Sequence, residues 1–178
     1  MLEGIVRESI GKKGTKALRR DGYLIANIYG KGLENINAAF KMNEYIRTVR
    51  NKETIAFPVN VGGKEMSVVV QSYESQAVTG TLLHVDLMVS QPGVEATYNV
   101  PVVAVGEAIG LKNKGLVHHA KPRLTVKCTP ENLPNTIEID VTSMDTGASR
   151  LVRDLPTIPN VKILDSDRVA LISIIKAK

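Results

Sequence analysis

The chain has 178 residues, 43% hydrophobic and 23% charged, with a net charge of +5 and a pI near 9.3. That profile excludes a wholly disordered chain and fits one large or two small globular domains. Aromatics at 4% with no Trp count against a nucleic-acid binder built on stacking platforms, and the lone Cys128 excludes an internal disulfide and a cysteine-rich zinc site.

The opening Met1-Leu2-Glu3-Gly4 lacks the apolar core of a signal peptide, and no apolar run reaches membrane-spanning length, so a cytosolic protein is expected. The alternation in Leu2–Arg7 predicts an edge strand. Arg7 then opens a basic segment running through Arg20, with Lys12, Lys13, Lys16 and Arg19 between them and Glu8 the sole acid. Gly11 and Gly14 flank Lys12-Lys13 and predict a flexible loop. Thr15 is the expected N-cap of a short helix ending before Asp21-Gly22. Leu24–Tyr29 reads as a strand. Met42–Arg50 has helical spacing, with Met42, Tyr45, Ile46 and Val49 on one face and Asn43 as candidate cap. Thr54–Val61, Gly62-Gly63 and Lys64–Gln71 predict a two-residue hairpin, and Pro58 predicts an edge position or a bulge in its first strand. Leu82–Val89 is a further strand.

Ser90-Gln91-Pro92-Gly93 is the best linker, giving domains of 1–91 and 92–178. Beyond it Tyr98–Val105, Leu124–Cys128, Ile137–Val141, Arg150–Val152, Val161–Leu164 and Val169–Ile175 all read as strands, with no helical periodicity. The expected class is mainly β with short helices: mixed helices and antiparallel strands first, then an all-β domain. Cys128 falls in a strand and reads as a buried thiol.

A charged segment is as readily a solvated surface as a ligand site. The paired glycines and helix-borne Arg19-Arg20 favour binding, because arginine forks grip phosphate oxygens bidentately while lysines act as point charges. In His84-Val85-Asp86 the alternation of a strand sends His84 and Asp86 to one face. They form either a solvated polar face with a local hydrogen bond, or a contact to ribose hydroxyls and base edges. No nucleophile completes them as a catalytic group. His118-His119 point apart and have no partner at metal-ligand spacing. Gly106-Glu107-Ala108-Ile109-Gly110 has no following Lys-Ser or Lys-Thr and is not a P-loop, and Gly30-Lys31-Gly32 lacks the third glycine of a dinucleotide site. No enzyme, metal or cofactor is expected.

Arg7, the Gly11–Gly14 loop, Arg19-Arg20, Tyr29-Gly30 and His84-Val85-Asp86 occur in an order that resembles the bacterial large-subunit ribosomal proteins that bind 5S rRNA, in their long two-domain form (general stress protein CTC type). Val100-Pro101-Val102, Gly106–Gly110, Cys128–Pro134 and Ile137–Val141 extend the resemblance through the second half. It implies a small antiparallel β-barrel with accessory helices, docked on the loop-E region of 5S rRNA in the central protuberance. The implied RNA contacts are Arg7, Lys12, Lys13, Lys16, Arg19, Arg20, Tyr29, Gln71, His84 and Asp86. The cations would hold phosphates; Tyr29, Gln71, His84 and Asp86 would read a widened minor groove. Neighbouring large-subunit ribosomal proteins are the expected partners of the second domain, and the free protein is expected to be a monomer. Two departures stand out. Where the family commonly carries Gln-Arg-His-Pro, this chain has Glu74-Ser75-Gln76-Ala77, which places an anion where phosphate would be repelled; and Lys114-Gly115 replaces a usual glycine pair. The rival expectation is a free stress-response adaptor or chaperone-like protein with nonspecific RNA affinity.

Overall fold

The computed structural model describes residues 1–8 and 10–176, so Ser9 of the basic segment lies outside the described residues. The chain divides into two compact units, Met1–Val94 and Glu95–Lys178. No helix is long and apolar enough to cross a membrane among the described residues.

The first unit contains β1 (Leu2–Val6), α1 (Lys12–Arg20), β2 (Tyr23–Gly30), β3 (Leu33–Lys41), α2 (Met42–Arg50), β4 (Phe57–Val61), β5 (Lys64–Ser75) and β6 (Leu82–Val89). The six strands close a barrel in the order β1-β3-β2-β6-β5-β4. Closure removes the exposed strand edges that would otherwise template aggregation. Two of its pairings, β1 with β4 and β2 with β6, are parallel, so the barrel is mixed. Alternate residues from each strand fill it, among them Leu24, Ala26, Ile28, Phe40, Val59, Val68, Val85 and Leu87. The helix α2 adds Tyr45, Met42, Ile46 and Val49 to that core, the face its spacing predicts.

Several local expectations are corrected. The strand β1 is not an edge, since β3 and β4 flank it on both sides; its alternation puts Glu3 and Ile5 on the barrel's outer surface, while Val6 is exposed at the strand's end near Gly62. Pro58 marks no bulge, and β4 is not an edge strand, but Pro58 itself stands at a position of β4 that is open on the β1 side. It pairs with Ser67 of β5 and lies just before Val59, where pairing with β1 begins, so its missing N–H costs no ladder bond there. The helix α1 starts at Lys12, not after Thr15, and takes the glycine-flanked lysines into its first turn. Thr15 caps nothing; its hydroxyl donates to the Gly11 carbonyl (3.2 Å) and accepts from the Arg7 guanidinium (2.7 Å). Asn43 is no cap either, because α2 begins at Met42 and Lys41 precedes it without a side-chain cap bond. The Gly62-Gly63 turn has the two positive φ values, 61° and 78°, that a two-residue hairpin requires.

The second unit contains β7 (Ala96–Val105), α3 (Ile109–Lys112), β8 (Gly115–His119), β9 (Arg123–Cys128), β10 (Ile137–Asp140), β11 (Ser149–Leu151), β12 (Lys162–Ile163) and β13 (Ala170–Lys176). One sheet runs β10-β7-β9-β12 and the other β11-β13-β8. Tyr98, Val100, Leu124, Val126, Leu171, Ile172 and Ile174 are wholly buried in it. Cys128 is buried too, and that burial pushes its thiol pKa up, as for an inert core cysteine. The Gly106–Gly110 segment owes its glycines to packing. A Cβ on Gly106 would strike the Thr142 hydroxyl, and one on Gly110 would lie 2.8 Å from the Thr146 backbone nitrogen. Lys114, at the departed glycine position, holds a left-handed φ of 58°.

Acid should loosen this second unit. Asp165 is desolvated, which opposes ionisation, but Lys121 (2.5 Å) and the Thr125 N–H (2.9 Å) hold the carboxylate and lower its pKa from 3.8. A carboxyl depressed on folding contributes stability above its unfolded pKa and loses it as pH falls through the folded value. The resistance of this unit to urea is therefore expected to fall as pH drops below about 4. Asp165→Asn should unfold earlier at pH 7 and lose less on acidification; an unchanged acid slope would sink this assignment.

Candidate nucleic-acid interface

The outer wall of β2, β6 and β5 carries the polar residues singled out in the sequence. The parallel register sets Asn27 of β2 beside Asp86 of β6, and Tyr29 beside Met88. The antiparallel register sets Ser72 opposite Asp86 and Glu74 opposite His84. Between Val70 and Ser72 the register slips, which makes Gln71 the extra residue of a β-bulge. Bulges re-aim side chains and increase local twist. Tyr29, Gln71, His84 and Asp86 thus gather on three neighbouring strands.

Asp86 is the hub. Its Oδ1 lies 3.5 Å from His84 Nδ1, and its Oδ2 accepts from the Ser72 hydroxyl in a short hydrogen bond. Both carboxylate oxygens are therefore oriented before any ligand arrives. Tyr29 is partly desolvated and lies in the field of Asp86; both effects raise its pKa, so the phenol stays protonated as donor and acceptor. Hydroxyl, carboxylate, imidazole and amide groups in one patch suit ribose hydroxyls and base edges. Asn27 and Ser72 were missed by the sequence reading. Period-two counting from Tyr29 reaches Asn27, but only the bulge brings Ser72 onto Asp86.

The helix α1 packs against β2, on the outer side of the barrel where Ile25 and Ala39 are buried. A nine-residue helix with a glycine in it would scarcely form alone. Two arginines fasten it. Arg7 reaches Thr15 from the end of β1, and Arg19 donates to the Leu83 carbonyl of β6 (2.9 Å). These two of the six predicted cations serve the fold. Lys12, Lys13, Lys16 and Arg20 remain exposed at spacings of one helical face. The structure so separates a cationic stripe on α1 from a hydrogen-bonding patch on β2-β6-β5, and Arg19 ties one to the other. The anions Asp86 and Glu74 sit in the patch and not on the stripe.

Comparison with known proteins agrees with both units. The model of the ribosomal L25p family matches residues 2–87, and that of the ribosomal protein TL5 C-terminal domain matches residues 95–178. A large ribosomal subunit protein bL25 of Sulfurimonas denitrificans is 70% identical over the whole of both chains. Those of Campylobacter lari and Wolinella succinogenes are 61% and 59% identical, again over full length. A two-unit match in the same order, with full-length relatives at such identity, leaves one assignment: the chain belongs to the bL25 family of large-subunit ribosomal proteins.

Proposed function

We propose that the first unit docks on the loop-E region of 5S rRNA, with α1 on the phosphate backbone and the β2-β6-β5 patch in the adjoining groove. The chain is a structural protein of the large ribosomal subunit, not an enzyme. The observation that carries the RNA reading is the pre-oriented Asp86, clamped by Ser72 and His84 beside a helix with four uncommitted cations. A carboxylate repels phosphate but accepts well from base N–H groups and 2′-hydroxyls, so it belongs over a groove floor and not over a backbone. Non-canonical pairs widen that groove and supply shape as well as donors. In this reading Lys12, Lys13, Lys16 and Arg20 contact phosphate, Arg7 and Arg19 hold α1 in place, and Tyr29, Gln71, His84 and Asp86 contact bases and riboses. The second unit meets neighbouring large-subunit ribosomal proteins.

The test compares 5S rRNA with a plain RNA duplex of equal length across a salt titration. A preference for 5S rRNA that persists at physiological salt supports the reading; equal affinities that collapse together sink it, since that is counterion release alone. His84→Ala is expected to weaken 5S binding by about 1–3 kcal/mol and leave duplex binding unchanged. Glu74→Gln removes an anion facing His84 and should tighten it; a clear loss would show that Glu74 makes a contact of its own.

A further inference from the structure

The helix α2 presents two unlike faces. Tyr45, with Met42, Ile46 and Val49, packs into the barrel. On the other side Asn43, Arg47, Arg50 and Asn51 recur at helical spacing and, with the half-buried Ile46 at the boundary of the two faces, line an open groove of about 410 Å³. Arg47 and Arg50 are exposed. No ion pair engages either among the described residues. The neighbouring charges are otherwise occupied: Glu44 pairs with Lys41 at 3.6 Å, and Lys52 donates to the Ile55 carbonyl and lies 5.6 Å from the Phe57 ring centre. Glu53, exposed just beyond, is the remaining anion of this stretch.

We infer that this groove is a second RNA contact, taking phosphate and ribose of a backbone segment other than the one on α1. Two arginine forks flanked by two side-chain amides supply the fixed donors that a phosphodiester accepts and that ribose oxygens complement. Arginines in a last turn also favour the helix dipole. That role alone needs neither the flanking asparagines nor a groove between them. The inference goes beyond the α1 interface and does not depend on it, because it invokes different residues on a different helix.

The experiment uses the full chain, with Arg47→Gln/Arg50→Gln and Arg47→Lys/Arg50→Lys as variants and protein-free large-subunit rRNA as probe. The wild-type plot of log affinity against log salt sets the reference slope. The Gln pair is expected to reduce that slope by about 1.5, the loss of two neutralised phosphates, and to bind roughly tenfold more weakly at physiological salt. The Lys pair should keep the slope yet bind more weakly, because point charges replace planar forks. Urea midpoints of both variants report any dipole effect separately. An unchanged slope for the Gln pair overturns the inference. So does a loss confined to salt-washed subunits and absent on naked rRNA, which would assign the groove to an acidic protein. If wild type fails to discriminate 5S rRNA while the Gln pair still loses slope on total rRNA, the 5S reading falls and the groove stands.

Discussion

Phe40→Ala is expected to cost the first unit about 3–5 kcal/mol, the usual range for deleting a buried aromatic ring. The ring is fully buried in the barrel and lies 6.4 Å from that of Tyr45, so it couples β3 to α2. It also fills the space left by Gly4 across the β1–β3 pair. A Cβ there would collide with the Phe40 ring and lie 3.0 Å from Val61. Removing the ring therefore opens a cavity where β1, β3 and α2 meet, and β1 is the strand that closes the barrel against β4. Ordinary domains are stable by only about 5–15 kcal/mol, so the unit should become marginal. The second unit has its own core and should unfold where it did before. The tyrosines make this measurable, because Tyr23, Tyr29, Tyr45 and Tyr73 lie in the first unit and only Tyr98 in the second, and the chain has no Trp. Urea titration followed by tyrosine fluorescence should show the first unit's transition moving to lower urea with the other unmoved. Movement of both together would mean that the two cores unfold as one. Any loss of RNA affinity in this variant should recover with excess RNA, since ligand at a hundred times its Kd returns about 2.7 kcal/mol.

Local signals were legible where chemistry is local. The Gly62-Gly63 turn, the α2 face of Met42, Tyr45, Ile46 and Val49, and the alternation placing His84 and Asp86 on one side all followed from neighbours in the chain. What escaped depends on distant partners. The strand β3 (Leu33–Lys41) was not predicted because Asn35, Asn37, Ala38 and Ala39 have weak strand preference; pairing with both β1 and β2 overrides it. The strand β8 (Gly115–His119) was missed for a similar reason, being defined by its register with β13. The barrel closes through Leu2–Gly4 against Val59–Val61, a parallel pairing with no local signature. The start of α1 was misplaced because two glycines around Lys12-Lys13 mimic a loop; what makes the stretch helical is anchorage by Arg7 and Arg19 to other elements. The site shows the same division. Residue types and alternation gave its members, whereas the bulge at Gln71 and the Ser72–Asp86 bond that orders them exist only in the folded barrel.

Lys12→Gln, Lys13→Gln, Lys16→Gln and Arg20→Gln together should remove most of the affinity for 5S rRNA while leaving the fold intact. None of the four is buried, and the fastenings of α1 to the barrel, Arg7 to Thr15 and Arg19 to Leu83, are untouched. At roughly 1 kcal/mol for each solvent-exposed ion pair, four contacts amount to about a thousandfold loss. The slope of log affinity against log salt should flatten by about 3, since four phosphates no longer release counterions. Discrimination between 5S rRNA and plain duplex should survive in this variant at low salt, because the β2-β6-β5 patch is unchanged. His84→Ala is expected to do the reverse, lowering discrimination and keeping the slope. The pair of variants thus separates attraction from recognition. If the fourfold variant instead loses discrimination and keeps its salt slope, the division of labour between α1 and the sheet is wrong. In that case the phosphates must lie over the patch, against the charges of Asp86 and Glu74. Arg19→Ala provides the bridge between the two classes. It releases the Leu83 carbonyl, frees α1 from β6, and should weaken both slope and discrimination, since the stripe and the patch then lose their common register.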